Sequence, residues 1–151
     1  MTILKEGDNA PNFKLKDNEG KFHSLKDYFG EKLIIFFYPR ANTPGCTAEA
    51  CNLRDYFKEL KDKGYSILGV SADSEKSQQS FSKKYDFPFP LLADIEKEMI
   101  NAYGVWGPKK FRGKEYDGII RKTFLVDEKG IITRVIDKVK TKDHAAQILE
   151  T

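Results

Sequence analysis

Residues 33–51 read LIIFFYPRANTPGCTAEAC, and this stretch decides how the rest of the chain folds. Leu33 to Tyr38 is continuously apolar and aromatic, the pattern of a strand buried on both faces rather than the alternation of a strand with one wet face. Thr43 followed by Pro44 is a helix-start signal, because a hydroxyl can cap free amides and proline suits the first helical position. From there Cys46, Ala50, Leu53, Phe57 and Leu60 fall on one helical face, with Arg54, Asp55, Lys58 and Lys61 on others. Tyr65 to Val70 (YSILGV) is a second apolar run. Strand, amphipathic helix and strand make one crossover unit of an α/β sheet.

Working outward, Ser74 caps a helix running to about Asp86, and Asp94 caps a shorter one that stops at Gly104. Pro90 to Ala93 reads as a short strand between them. Residues 120–126 (IRKTFLV) and 131–136 (IITRVI) flank Asp127-Glu128-Lys129-Gly130, an antiparallel hairpin whose turn ends on glycine. Thr141 caps a last helix packing through Ala145, Ile148 and Leu149. Near the start, Asn18-Glu19-Gly20 marks the turn of a small extra hairpin. Residues 104–118 (GVWGPKKFRGKEYDG) read as a long Gly- and Lys-rich loop, either a functional flap or, as the charge run favours, a mobile solvated surface. The expectation is an α/β fold with a mixed sheet flanked by helices, in a single domain over residues 1–151, which is long enough for one core.

Bulk properties exclude several functions. With 26 basic and 23 acidic residues the net charge is +3, too small an excess to make a nucleic-acid-binding field without clustering. No apolar run approaches the ~18 residues that span a bilayer, and the N-terminus lacks the apolar segment of a secretory signal. A soluble, cytoplasmic protein is expected, binding neither nucleic acid nor membrane. Two cysteines cannot staple a domain of this size, and in a reducing compartment a close pair is more often catalytic or metal-binding.

Cys46 falls in the first turn of the expected helix, where free amides and the positive end of the helix dipole favour a thiolate. Making an ordinary thiol mostly thiolate at neutral pH means lowering its pKa from ~8.5 to ~6, or ~3.4 kcal/mol. A helix terminus supplies at most ~2 kcal/mol, so a further cation should lie nearby. An inert buried thiol is the plain alternative. Cys51 lies ~140° round and ~7.5 Å along an ideal helix from Cys46, on the exposed side with Thr47, Arg54 and Lys58. If the two pair, the first turns must unwind, because that separation exceeds what a disulfide spans. Zinc is disfavoured, since the remaining nitrogen ligands, His23 and His144, have no ligand-like spacing and read as surface or capping residues. A disulfide oxidoreductase would carry C-x-x-C at the helix start instead of C-x-x-x-x-C. A redox-sensing or holdase role stays open.

The run FFYPRANTPGCTAEACNLRD, with GDNAPNFKL near the start and IRKTFLVDEKG later, resembles the peroxiredoxins, in particular their bacterioferritin comigratory or Q-type subgroup. The resemblance spans essentially the whole chain and centres on P-x-x-x-T-x-x-C with a second cysteine five residues on. It implies a thioredoxin-like fold with an N-terminal hairpin, and a peroxidase that needs no metal or organic cofactor. It implies Cys46 as the peroxidatic nucleophile and Cys51 as the resolving thiol that closes an intramolecular disulfide. It also implies Thr43 as holder of peroxide and thiolate, Pro39 as a shield, and Arg121 as the missing cation, with Glu49 and Arg40 at matching positions. Hydrogen peroxide or an alkyl hydroperoxide would be the substrate and a thioredoxin- or glutaredoxin-like protein the reductant. A resolving thiol within the chain points to a monomer.

Overall fold

In the computed structural model, which describes residues 3–150, the apolar run becomes strand β3. A short hairpin precedes it, β1 (Lys14–Lys16) and β2 (Phe22–Ser24). Its turn is held by Asp17, whose Oδ1 accepts from the amides of Glu19 and Lys21. After β3 (Lys32–Phe37) come helices α1 (Pro44–Asp55) and α2 (Phe57–Asp62). The single helix expected between the first two buried strands is thus two, broken at Tyr56, whose ψ of 18° leaves the α region. Strand β4 (Tyr65–Ser71), helix α3 (Glu75–Tyr85) and strand β5 (Leu91–Ala93) follow. Ser74 caps α3 as read from the sequence, its side chain accepting from the Ser77 amide, and Asp86 ends the helix in the left-handed region.

Helix α4 (Glu98–Ala102) starts later than expected. Lys97 adopts φ 60° and delays the helix, yet Asp94 still serves its start, Oδ2 accepting from the Ile100 amide at 2.7 Å. The stretch expected to be a solvated loop is instead a hairpin, β6 (Trp106–Phe111) and β7 (Lys114–Ile119), paired from Trp106↔Ile119 to Phe111↔Lys114. Arg112 and Gly113 turn it with φ of 52° and 79°, the signs a two-residue type I′ turn requires. Lysines, glycines and one proline on both strands erase the period-2 alternation that would have revealed it. Strands β8 (Lys122–Val126) and β9 (Ile132–Ile136) form the expected hairpin. Helix α5 (His144–Leu149) is capped at Asp143, not at Thr141, because residues 140–143 first close a turn, with the Asp143 amide donating to the Lys140 carbonyl.

The central sheet runs β5-β4-β3-β8-β9. Strands β3, β4 and β5 are parallel, and β8 and β9 are antiparallel to their neighbours. Both faces of β3 are covered, as its unbroken apolarity requires. Leu33, Ile35 and Phe37 pack with Leu68, Val70, Phe124 and α4 residues on one face. Ile34, Phe36 and Tyr38 pack with Ala50, Leu53, Phe81 and Ile148 on the other. At roughly 1.5–3 kcal/mol for each large apolar side chain buried, β3 is the main anchor of both layers.

Candidate active site

The loop between β3 and α1 lies at the carboxyl ends of the parallel strands, where α/β sheets assemble their sites. It is pinned to the end of β4, with the Ala41 amide donating to Asp73 Oδ2 at 2.8 Å and the Ser71 hydroxyl donating to the same oxygen at 2.6 Å. Asn42 turns the chain with φ 62°, a conformation asparagine tolerates better than most residues. Pro44 then opens α1, and Cys46 falls in its first turn, 1% exposed in the layer with Ile34, Phe36 and Ala50.

Thr43 occupies the position before the helix, but its hydroxyl does not cap the amides. It donates to the Arg40 carbonyl at 2.8 Å. The first-turn amides are left without a side-chain cap, and the hydroxyl oxygen keeps its lone pairs as acceptors. Pro39 is half-buried at the end of β3, and Arg40 is exposed.

A cation does lie beside Cys46, the guanidinium of Arg121. The pairing Phe37↔Lys122 between β3 and β8 sets the preceding residue beside the start of α1. Its Nη2 lies 3.4 Å from Cys46 Sγ, and its Nη1 donates to Glu49 Oε1 at 2.7 Å. Gly45 makes room for this approach, since a Cβ there would stand 3.1 Å from Nη2. Burial works against the Arg121 charge, but Cys46 and Glu49 more than offset it. Burial also pushes Glu49 up to about 7, against the pull of Arg121.

Two further residues at the site, His144 and Lys109, carry no motif of their own, and a third, Glu49, is marked only by the family resemblance. His144, expected at the surface, is fully buried, with Nε2 2.8 Å from Thr123 Oγ1 and 3.5 Å from Glu49 Oε2. Glu49 has no exposed surface. Lys109 reaches in from β6, Nζ donating to the Ile119 carbonyl, and is held below the usual lysine range by burial first and by Arg121 second, while Cys46 draws it up. His23, also expected at the surface, is buried against Asp17 and Tyr28. Among the described residues no group of three or more His, Cys, Asp or Glu side chains is arranged to hold a metal ion, and no helix is long and apolar enough to cross a membrane.

Cys51 is free, like Cys46. It is half-buried rather than exposed, packed against the layer that contains Cys46. Burial pushes its thiol up, with Arg54 opposing.

Residues 6–135 match the AhpC/TSA family. The chain is 46% identical over 150 residues to a putative peroxiredoxin Bcp of Haemophilus influenzae, covering 99% of this chain and 97% of that one. A cysteine-to-serine mutant of peroxiredoxin Q from Xylella fastidiosa superposes with a TM-score of 0.92 at 30% identity, covering 99% and 96% of the two chains. The bacterioferritin comigratory protein of Xanthomonas campestris, described for its alkyl peroxide reduction activity, superposes at 0.87 with 34% identity over 99% and 94%. Together with the thioredoxin-like arrangement of sheet and helices, these likenesses place the chain in the AhpC/TSA family as a peroxiredoxin of the Bcp type, a thiol peroxidase.

Proposed function

We propose that this chain, as a single domain, reduces hydrogen peroxide and organic hydroperoxides through Cys46. The thiolate sulfur attacks one peroxide oxygen and the O–O bond breaks. The leaving oxygen takes a proton to become water or an alcohol, and Cys46 becomes a sulfenic acid. Arg121 stabilises the charge that develops on the peroxide, together with the uncapped amides of Gly45 and Cys46. The Thr43 hydroxyl, its proton committed to Arg40, accepts from the peroxide O–H, and Pro39 screens the sulfur from water. The observation that carries this reading is the Arg121 guanidinium, 3.4 Å from a sulfur already placed at a helix N-terminus.

The second half-reaction belongs to Cys51. Its thiol displaces water from the sulfenic sulfur and leaves an intramolecular disulfide, which a thioredoxin- or glutaredoxin-like dithiol reduces by exchange. Cys46 and Cys51 lie on different sides of α1 at a separation no disulfide spans, so α1 must open before they meet, and burial raises the Cys51 thiol in the closed helix. Resolution within one chain needs no second subunit, which supports a monomer. A reducing cytoplasm is the compartment that suits such recycling. The roles given to Cys46, Cys51, Thr43, Pro39 and Arg121 are tested by steady-state peroxide consumption with several dithiol donors. Cys46→Ser abolishes turnover, while Cys51→Ser consumes about one equivalent and stalls as sulfenic or overoxidised Cys46. Sustained turnover of Cys51→Ser with thioredoxin alone would assign resolution elsewhere. Reduction of protein disulfides without peroxide would mark a disulfide oxidoreductase.

A further inference from the structure

Glu49 sits three residues after Cys46 on α1 and is completely buried. One carboxylate oxygen accepts from Arg121, but Oε2 is buried with no hydrogen-bond partner. Facing it at 3.5 Å is His144 Nε2. The protonation of that ring follows from its other contacts. Gln147 Oε1 accepts from the Lys140 amide at 2.9 Å, and Gln147 Nε2 donates to the Lys138 carbonyl at 3.0 Å. The amide orientation is thereby fixed, so His144 Nδ1, 2.8 Å from that same Oε1, is the N–H that donates. In the neutral ring Nε2 is then a lone pair, accepting from the Thr123 hydroxyl at 2.8 Å. An ionised Glu49 would set a second lone pair against it with no proton between, and leave a buried charged oxygen bare.

We propose that Glu49 and His144 hold one proton between them, so that the pair is uncharged and the positive charge of Arg121 is left for the Cys46 thiolate. This rests on Cys46 reacting as a thiolate. Arg121 pulls Glu49 towards ionisation, but burial outweighs that pull, and other charges favour the protonated count. Arg121, beside β8, and Arg134, on β9 with Nη1 on the Gln147 carbonyl at 2.7 Å, disfavour a net positive His144. Cys46, on the same face of α1, disfavours a negative Glu49. With the proton present, one thiolate meets one guanidinium. Without it, two buried anions compete for Arg121. Burial pushes Glu49 up to about 7 and holds His144 below its usual range, so the proton resides on the carboxyl side. Neither residue touches the sulfur. Both are positioning residues that act through Arg121.

The test joins a rate to a spectrum. In wild type, the second-order rate of Cys46 with hydrogen peroxide falls as pH rises through about 7 and the pair loses its proton, and an infrared band of a protonated carboxyl disappears over the same range. Glu49→Gln offers an amide N–H to His144 and an oxygen to Arg121, the pattern of the protonated acid. It abolishes the band and the fall, and so outpaces wild type about tenfold above that range. Glu49→Ala, which supplies neither contact, is slow at every pH. His144→Asn moves the fall to lower pH and provides a second reading should the Glu49 variants not fold. A fall with the same midpoint in Glu49→Gln, or a wild type with neither fall nor carboxyl band, overturns the proposal. Turnover that survives in Cys46→Ser would instead defeat the underlying assignment of the nucleophile.

Discussion

The guanidinium of Arg121 divides its two terminal nitrogens between a sulfur and the Glu49 carboxyl group, a fork that a lysine ammonium cannot reproduce from one point charge. Arg121→Lys therefore keeps the charge and loses one of two charged contacts. A hydrogen bond to a charged group is worth ~1.5–3 kcal/mol, so the rate of Cys46 with peroxide should drop about 10- to 150-fold, read by stopped-flow peroxide consumption. A drop under about twofold would mean that charge alone suffices. At this scale the sequence was uneven. Cys46 and the position of Thr43 could be read from strand, proline and helix start, because those signals are local. The Thr43 hydroxyl could not, since its bond to the Arg40 carbonyl depends on the course of the loop. Arg121 is one basic residue among 26 and came only through the family resemblance. Glu49 and His144 meet across the gap between two helices 95 positions apart in sequence, and no spacing encodes that.

At the scale of elements, α1 carries both cysteines and is tied to α5 by a side chain next to Cys51. Asn52 Oδ1 accepts from the Ala145 amide at 2.7 Å, and its Nδ2 donates to the Lys142 carbonyl at 3.1 Å. In the resolution proposed above, opening α1 to bring Cys51 to Cys46 releases this clamp, and α5 loosens with it. Amide exchange should show residues 44–54 well protected in the reduced protein and unprotected after oxidation, with residues 144–149 following. Asn52→Ala removes two hydrogen bonds, roughly 1–3 kcal/mol in total, and should raise exchange across both helices in the reduced state by about tenfold. Unchanged protection of α5 in the variant would show the clamp to be idle. The elements themselves were legible wherever one physical signal dominated, as in the apolar β3, the Ser74 cap and the Gly130 turn. The β6–β7 hairpin was missed because its strands are exposed, charged and glycine-rich, so pairing rather than burial defines it.

For the whole molecule, the buried Glu49 and His144 set opposite pH slopes on stability. Glu49 has its folded-state value raised to about 7 from 4.5, so the unfolded chain ionises first. Stability contributed by this group is full below about 4.5, is lost as pH rises towards 7, and then levels. His144 is held below its usual 6.5, so the unfolded chain takes up its proton first, and stability is lost as pH falls below 6.5. The two windows overlap below pH 6.5, and there the opposite slopes partly cancel in wild type. Glu49→Gln removes the first slope and exposes the second. The variant should gain stability over wild type steadily from about pH 4.5 to 7, by a few kcal/mol in all, with a constant difference above. Denaturant unfolding at several pH values measures this directly. A variant whose stability parallels wild type through that range would mean that Glu49 ionises normally in the fold, and the charge of Arg121 would then already be spent on it.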